Sequence, residues 1–132
     1  MYLLDTNILI YLMKGTFPAL NKMAMTVHPS QMAVSAVSIL ELEYGASKSR
    51  WGERTRQTLR IFLSEFQIIP FTEADAVAAG RIRAELAQRG ILIGAYDLQI
   101  AAQGVARGLT VVTHNTGEFQ RVPGLSVEDW TE

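Results

Sequence analysis

Apolar residues recur along this chain in two rhythms: short unbroken runs, and longer stretches in which every third or fourth position is apolar. Tyr2 to Leu4, Met32 to Val37, Phe66 to Phe71 and Leu109 to Thr113 are runs of the first kind and predict strands, with a last short strand near Leu125 to Val127. Helical spacing predicts helices from Asp5-Thr6-Asn7 to Gly15, from Pro18 through Val27, from Ser38 toward Gly45, from Trp51 to Phe66, from Thr72 to about Arg89, and from Gly94 to Gly108. His28-Pro29 ends the second of these, Ser38-Ile39-Leu40-Glu41 has the form of a capping box, and Gly90 terminates the helix that Thr72 caps. Asn115 to Phe119 reads as a loop or short helix.

Strands that alternate with helices imply an α/β protein: a mainly parallel sheet of about five strands with helices on both faces. Crossovers in such sheets are right-handed, and ligands bind beyond the carboxyl ends of the strands. The chain of 132 residues fits a single domain, 1–132, with no internal repeat and no low-complexity tract. Asp5 and Lys14 break the apolar opening, which is too short to span a bilayer and has no basic lead, so a cytoplasmic protein is expected.

Composition narrows the chemistry. Without cysteine there is no disulfide, thiolate nucleophile or cysteine metal site, so any metal must sit on oxygen or histidine ligands. A formal net charge of -1 excludes a polycationic nucleic-acid coat but not a local patch. Lys48, Arg50, Arg54, Arg56 and Arg60 crowd around Trp51 with Glu53 opposing them. The first reading is a solvated helix face, and phosphate contact by Arg50, Arg54 and Arg56 is the second.

Four acids stand out by position. Asp5, Glu41 and Glu118 directly follow strands, Asp97 follows Gly94, and all four are expected at helix starts. Each has a structural reading as a cap or first-turn acid, stabilising by about 1 kcal/mol or less. A parallel sheet would gather them along one edge, where two carboxylates about 4 Å apart at an effective dielectric near 20 repel by about 4 kcal/mol. Such a cluster calls for a divalent cation. Mg2+ or Mn2+ suits carboxylate oxygens and retains water for a phosphate substrate, whereas shared protons explain a pair better than four. Glu43, two residues from Glu41, points about 200° around the helix and is not expected at the same site. His28 beside Pro29 reads as a surface residue; His114 follows a strand on the proposed edge and is a candidate for positioning substrate or water.

These segments together resemble the PIN-domain ribonucleases, and within them the VapC toxins of bacterial toxin-antitoxin pairs. The resemblance rests on L-L-D-T-N-I-L-I, S-I-L-E-L-E-Y-G, Y-D-L-Q-I-A-A, L-T-V-V-T-H-N-T-G-E-F and V-P-G-L-S-V-E-D-W, in an order that spans nearly the whole chain. It implies a three-layer α/β/α PIN-like fold, with Asp5, Glu41 and Asp97 as acidic metal-binding residues and Thr6 and Asn7 arranged around the first. Glu118 matches the acid of the N-T-x-E-F segment. Other members carry an aspartate about where Asn115 lies, so the resemblance leaves the fourth ligand open between direct and water-mediated contact. It also implies a homodimer and a VapB-like antitoxin whose tail lies across the active-site groove.

The function that the resemblance implies is that of a Mg2+- or Mn2+-dependent endoribonuclease: the toxin of a type II pair, hydrolysing RNA such as tRNA and inhibiting translation. Water would attack the phosphodiester in line, with Asp5, Glu41, Asp97 and Glu118 as the catalytic acids and Thr6 or Asn115 orienting water or phosphate. The alternative is a catalytically silent RNA- or partner-binding module of the same fold. A phospho-accepting receiver needs a second acid beside Asp5 and a lysine after the fifth strand; a haloacid-dehalogenase-like phosphatase needs D-x-D; a P-loop needs G-x-x-x-x-G-K-S/T. None is present.

Overall fold

The computed structural model describes residues 1–132. Its strands are Tyr2–Leu4 (β1), Met32–Ser35 (β2), Gln67–Ile69 (β3), Thr110–Val112 (β4) and Ser126–Glu128 (β5). Its helices are Thr6–Lys14 (α1), Pro18–Thr26 (α2), Ala36–Lys48 (α3), Gly52–Leu63 (α4), Glu73–Gln88 (α5), Ala95–Arg107 (α6) and Thr116–Phe119 (α7). All strand pairs are parallel and the spatial order is β3-β2-β1-β4-β5. The chain therefore builds outward from β1 through β2 to β3, then returns to the other side of β1 for β4 and β5. At that reversal the connections at the carboxyl ends of β1 and β4 diverge and leave a crevice.

Side-chain alternation along the strands divides the core in two. Leu3, Ala33 and Val111 pack on one face with Ala79, Ile82 and Leu86 of α5 and Leu98, Ala101 and Ala102 of α6. Leu4, Val34 and Val112 pack on the other with Ile8 and Leu9 of α1, Leu20 of α2, Leu42 and Ala46 of α3, and Leu59 of α4. The three-layer α/β/α arrangement follows from this one-residue alternation.

Several element boundaries differ from the sequence expectation. β2 ends at Ser35 rather than Val37, because the Ser35 hydroxyl accepts the Val37 N–H at 3.0 Å and starts α3 three residues early. The expected Ser38-Glu41 capping box is thus absent. Ser38 is a buried interior residue of α3, Glu41 lies in its second turn, and the helix runs past Gly45 to Lys48. β3 stops before Pro70, which has no N–H for a ladder and whose carbonyl instead accepts from Gln103 and Arg107 of α6. α4 spans Gly52–Leu63, shorter than the apolar spacing to Phe66 suggests.

One buried network escaped the sequence reading. Thr72 and Asp75 form a reciprocal capping box at the start of α5, and the Asp75 carboxylate also accepts from Gln103 at 3.1 Å and Arg107 at 3.0 Å, tying α5 to α6.

Candidate active site

The crevice at the carboxyl ends of β1, β2 and β4 receives the four acids singled out by sequence. Asp5 follows β1 directly, its backbone N–H bonded to the Val112 carbonyl of β4 at 3.0 Å. Its carboxylate caps α1 by accepting the Ile8 N–H at 2.8 Å and also takes the Thr113 hydroxyl. The structural reading as a cap and the functional reading coexist in this residue. Burial pushes its carboxyl up to about 6, with Glu41 and Asp129 adding repulsion against those two hydrogen bonds.

Glu41 projects from α3 toward the start of α1, where the Thr6 hydroxyl donates to Oε1 at 2.7 Å. Having given its one proton to Glu41, Thr6 receives the hydroxyl of fully buried Ser38 at 2.8 Å. Glu43 lies elsewhere, paired with Arg56 at 2.6 Å.

Asp97, in the first turn of α6, is half-buried. Burial first, and then the charges of Glu118, Asp5 and Glu41, push its carboxyl up to about 7. No compensating donor opposes that rise. Glu118, in the first turn of α7, stands against Asp97, accepts the Gly94 N–H at 2.6 Å, and takes the side-chain amide of Asn115 on its other oxygen. A Cβ on Gly94 would stand 3.5 Å from both Asp97 Oδ2 and Glu118 Oε1, so the bare glycine leaves room where these carboxyls converge.

The supporting residues divide. Thr6 belongs to the cluster, whereas Asn7 is exposed. Asn115 binds Glu118 and, through its N–H, the Thr113 hydroxyl at 2.9 Å. Arg56 differs from the expectation of a free phosphate contact: Glu43, Glu53 and the Ser47 hydroxyl occupy its guanidinium. Arg50 and Arg54 are exposed and outside the acid cluster. His28 caps the short turn Pro29–Gln31.

Sequence reasoning missed Thr113 and Asp129. Thr113 is fully buried and links Asp5 to Asn115. Asp129, beyond β5, repels Asp5 from the tail of the chain and meets His114 Nδ1 at 3.1 Å. Burial raises the Asp129 carboxyl, but the Thr131 hydroxyl and N–H, with His114, outweigh it and hold the group below the usual carboxylate range. Both lie inside segments that carry the family resemblance, but neither stands out there, since threonine is common in strands and Asp129 approaches only through sheet pairing.

As placed, no three of these side chains close into a ligand set. The donor chemistry nevertheless fits a hard divalent cation that keeps much of its water: carboxylate oxygens alone, two of them carrying repulsion that positive charge would relieve.

A family model described as PIN domain matches residues 2–125. The tRNA(fMet)-specific endonuclease VapC of Shigella flexneri is 41% identical over 130 residues, covering 98% of each chain. Ribonuclease VapC2 of Rickettsia felis is 39% identical, covering 98% of this chain and 97% of its own. Among solved structures, the DNA-bound VapBC of Salmonella typhimurium superposes with a TM-score of 0.92 at 38% identity, over 98% of this chain and 97% of that one.

Proposed function

This chain belongs to the PIN domain family, in its VapC group, and from that premise we propose that it is a divalent-metal-dependent endoribonuclease, the toxin of a toxin-antitoxin pair. The observation that carries the metal-dependent chemistry is the convergence of Asp97 and Glu118 beside buried Asp5, with two carboxyls pushed far above their ordinary range in the crevice of a parallel sheet. Asp5, Glu41, Asp97 and Glu118 are the residues that would hold Mg2+ or Mn2+. The bound ion would supply charge neutralisation and Lewis acidity at the scissile phosphate.

The chain's own groups do the rest. Thr6 fixes the Glu41 carboxylate, Ile8 N–H and the Thr113 hydroxyl fix Asp5, and Gly94 N–H with Asn115 fixes Glu118. A carboxylate of this edge would take the proton of a water that attacks phosphorus in line. A P–O ester bond to the RNA breaks as the new P–O bond forms, and the leaving oxygen is protonated from solvent.

The substrate is RNA, and the relative from Shigella flexneri, named for tRNA(fMet), makes tRNA the first substrate to try. The VapBC complexes of the solved relatives support a VapB-like antitoxin as partner. A homodimer is part of the same proposal.

The test is cleavage of tRNA by purified protein with Mg2+ or Mn2+, with chelator, and with Asp97→Asn. Metal-dependent cutting that disappears in the folded variant is expected. Equal cutting by the variant, or cutting in chelator, would overturn the assignment; no cutting together with intact RNA binding would favour the silent binding module.

A further inference from the structure

The face of α3 that presents Glu41 continues through Tyr44 and Lys48, three and seven residues on and so on the same side of the helix. Tyr44 is 63% exposed, and Trp51, just beyond the helix, is 60% exposed. Each ring carries a cation: Lys48 Nζ lies 5.0 Å from the Tyr44 ring centre and the Arg50 guanidinium 5.2 Å from that of Trp51. Lys14 and Arg54 line a shallow groove with Trp51.

The neighbouring acids are already engaged. Glu43 and Glu53 both pair with Arg56, while Lys14, Lys48, Arg50 and Arg54 form no salt bridge. The position of Trp51 is built in by Gly52, where a Cβ would lie 2.8 Å from the Ala46 carbonyl oxygen; only glycine lets the start of α4 close onto the last turns of α3.

We propose that this face, from Glu41 through Tyr44 and Lys48 to Arg50 and Trp51, with Arg54 and Lys14 beside it, is a binding track for single-stranded RNA leading to the acid edge. The inference rests on the endoribonuclease reading and adds how substrate reaches that edge. Rings and cations alternate along the face as bases and phosphates alternate along a strand. Bases stack on the open faces of Tyr44 and Trp51, and the cations neutralise phosphates. An acidic protein segment would satisfy the cations but leave two large aromatic faces in water.

The test uses the full chain in chelator with a short unstructured RNA oligonucleotide. Trp130 is only 5% exposed, so quenching of tryptophan emission reports Trp51. Saturable quenching is expected, with affinity that falls steeply as salt rises. By anisotropy of labelled RNA, Tyr44→Ala and Trp51→Ala each weaken binding about tenfold. With Mn2+ present, the same variants raise KM with little change in kcat.

Absence of quenching, or wild-type RNA affinity in both variants, overturns the track. So does wild-type RNA affinity combined with lost self-association in sedimentation, which assigns the face to a contact between copies of the chain. Quenching and weakened variants in a protein that cuts no RNA would uphold the track and sink the nuclease reading. Cutting without quenching does the reverse.

Discussion

Thr6 Oγ1 donates to Glu41 Oε1 at 2.7 Å across the gap between α1 and α3, so a residue adjacent to Asp5 sets the orientation of an acid 35 positions beyond itself. The same hydroxyl is the acceptor for buried Ser38. Thr6→Val removes both roles at nearly constant volume and leaves the Ser38 hydroxyl unpaired. A loss of about 1–3 kcal/mol is expected in urea denaturation. RNA cleavage should fall about tenfold, the equivalent of about 1.4 kcal/mol in barrier height. Thr6→Ser keeps the donor and should restore most of the rate; a serine variant as slow as the valine one would show that Thr6 acts only by packing.

Asp97 illustrates a conflict between stability and chemistry. Its charge faces Glu118, Asp5 and Glu41 at a half-buried position, and Asp97→Asn removes that repulsion. In chelator the variant should be more stable by something on the order of 1 kcal/mol, allowing for solvent screening and a smaller loss at the helix N-terminus. Wild type should gain thermal stability on addition of Mn2+ through binding to the folded state, and the variant should gain much less. Differential scanning fluorimetry with and without Mn2+ reads both effects. An asparagine variant that is less stable in chelator yet shifts with Mn2+ as wild type does would contradict the account.

Asp75 supplies the pH dependence that lies outside the crevice. Burial works against its charge, but Arg107, the Thr72 N–H and Gln103 together hold its carboxyl below the ordinary range. A folded value below the unfolded one, about 3.9, means that the contribution is complete above that pH and is lost as pH falls through the folded value. Asp75→Asn should cost about 2 kcal/mol near neutrality, less than a fully buried pair because Arg107 is partly exposed. The gap between wild type and variant in urea midpoints should shrink on acidification below about pH 4. A gap that widens there would have the sign wrong.

Gly104 tests whether packing overrides helix propensity. In an exposed helix interior, alanine would be better than glycine by about 1 kcal/mol. Here a Cβ would lie 2.7 Å from Leu125 Cδ1 and 2.9 Å from Val111 Cγ2. The leucine tip can swing away, but the β-branched valine is held in the sheet. Gly104→Ala should therefore lower the thermal midpoint, by a net loss of about 1–3 kcal/mol. A raised midpoint would mean that α6 moves away from the sheet at no cost.

How much was legible depended on the range of the interaction. Tyr2-Leu3-Leu4 followed by Asp5 marked both a buried strand and the acid at its end, because both signals are local. The start of α3 was misread for the opposite reason. Ser35 and Ser38 both offer a capping hydroxyl, and only the distant Thr6 decides that Ser38 turns inward. The Glu43 pairing was half legible: helical geometry excluded it from the crevice, but its partner Arg56 belongs to the next helix. Thr113 and Asp129 acquire their places only when β4 pairs with β1 and β5, a nonlocal event with no periodicity to betray it.

The placement of β1 between β2 and β4 carries a consequence for synthesis. The three strands that bracket the crevice come from opposite ends of the sequence, and its acids sit at positions 5, 41, 97 and 118. A chain still emerging from the ribosome, with its last segments in the exit tunnel, cannot yet assemble the edge. Under the proposed chemistry a partly made chain cannot cut RNA, and activity awaits the pairing of β4 with β1 and the arrival of Glu118 behind it.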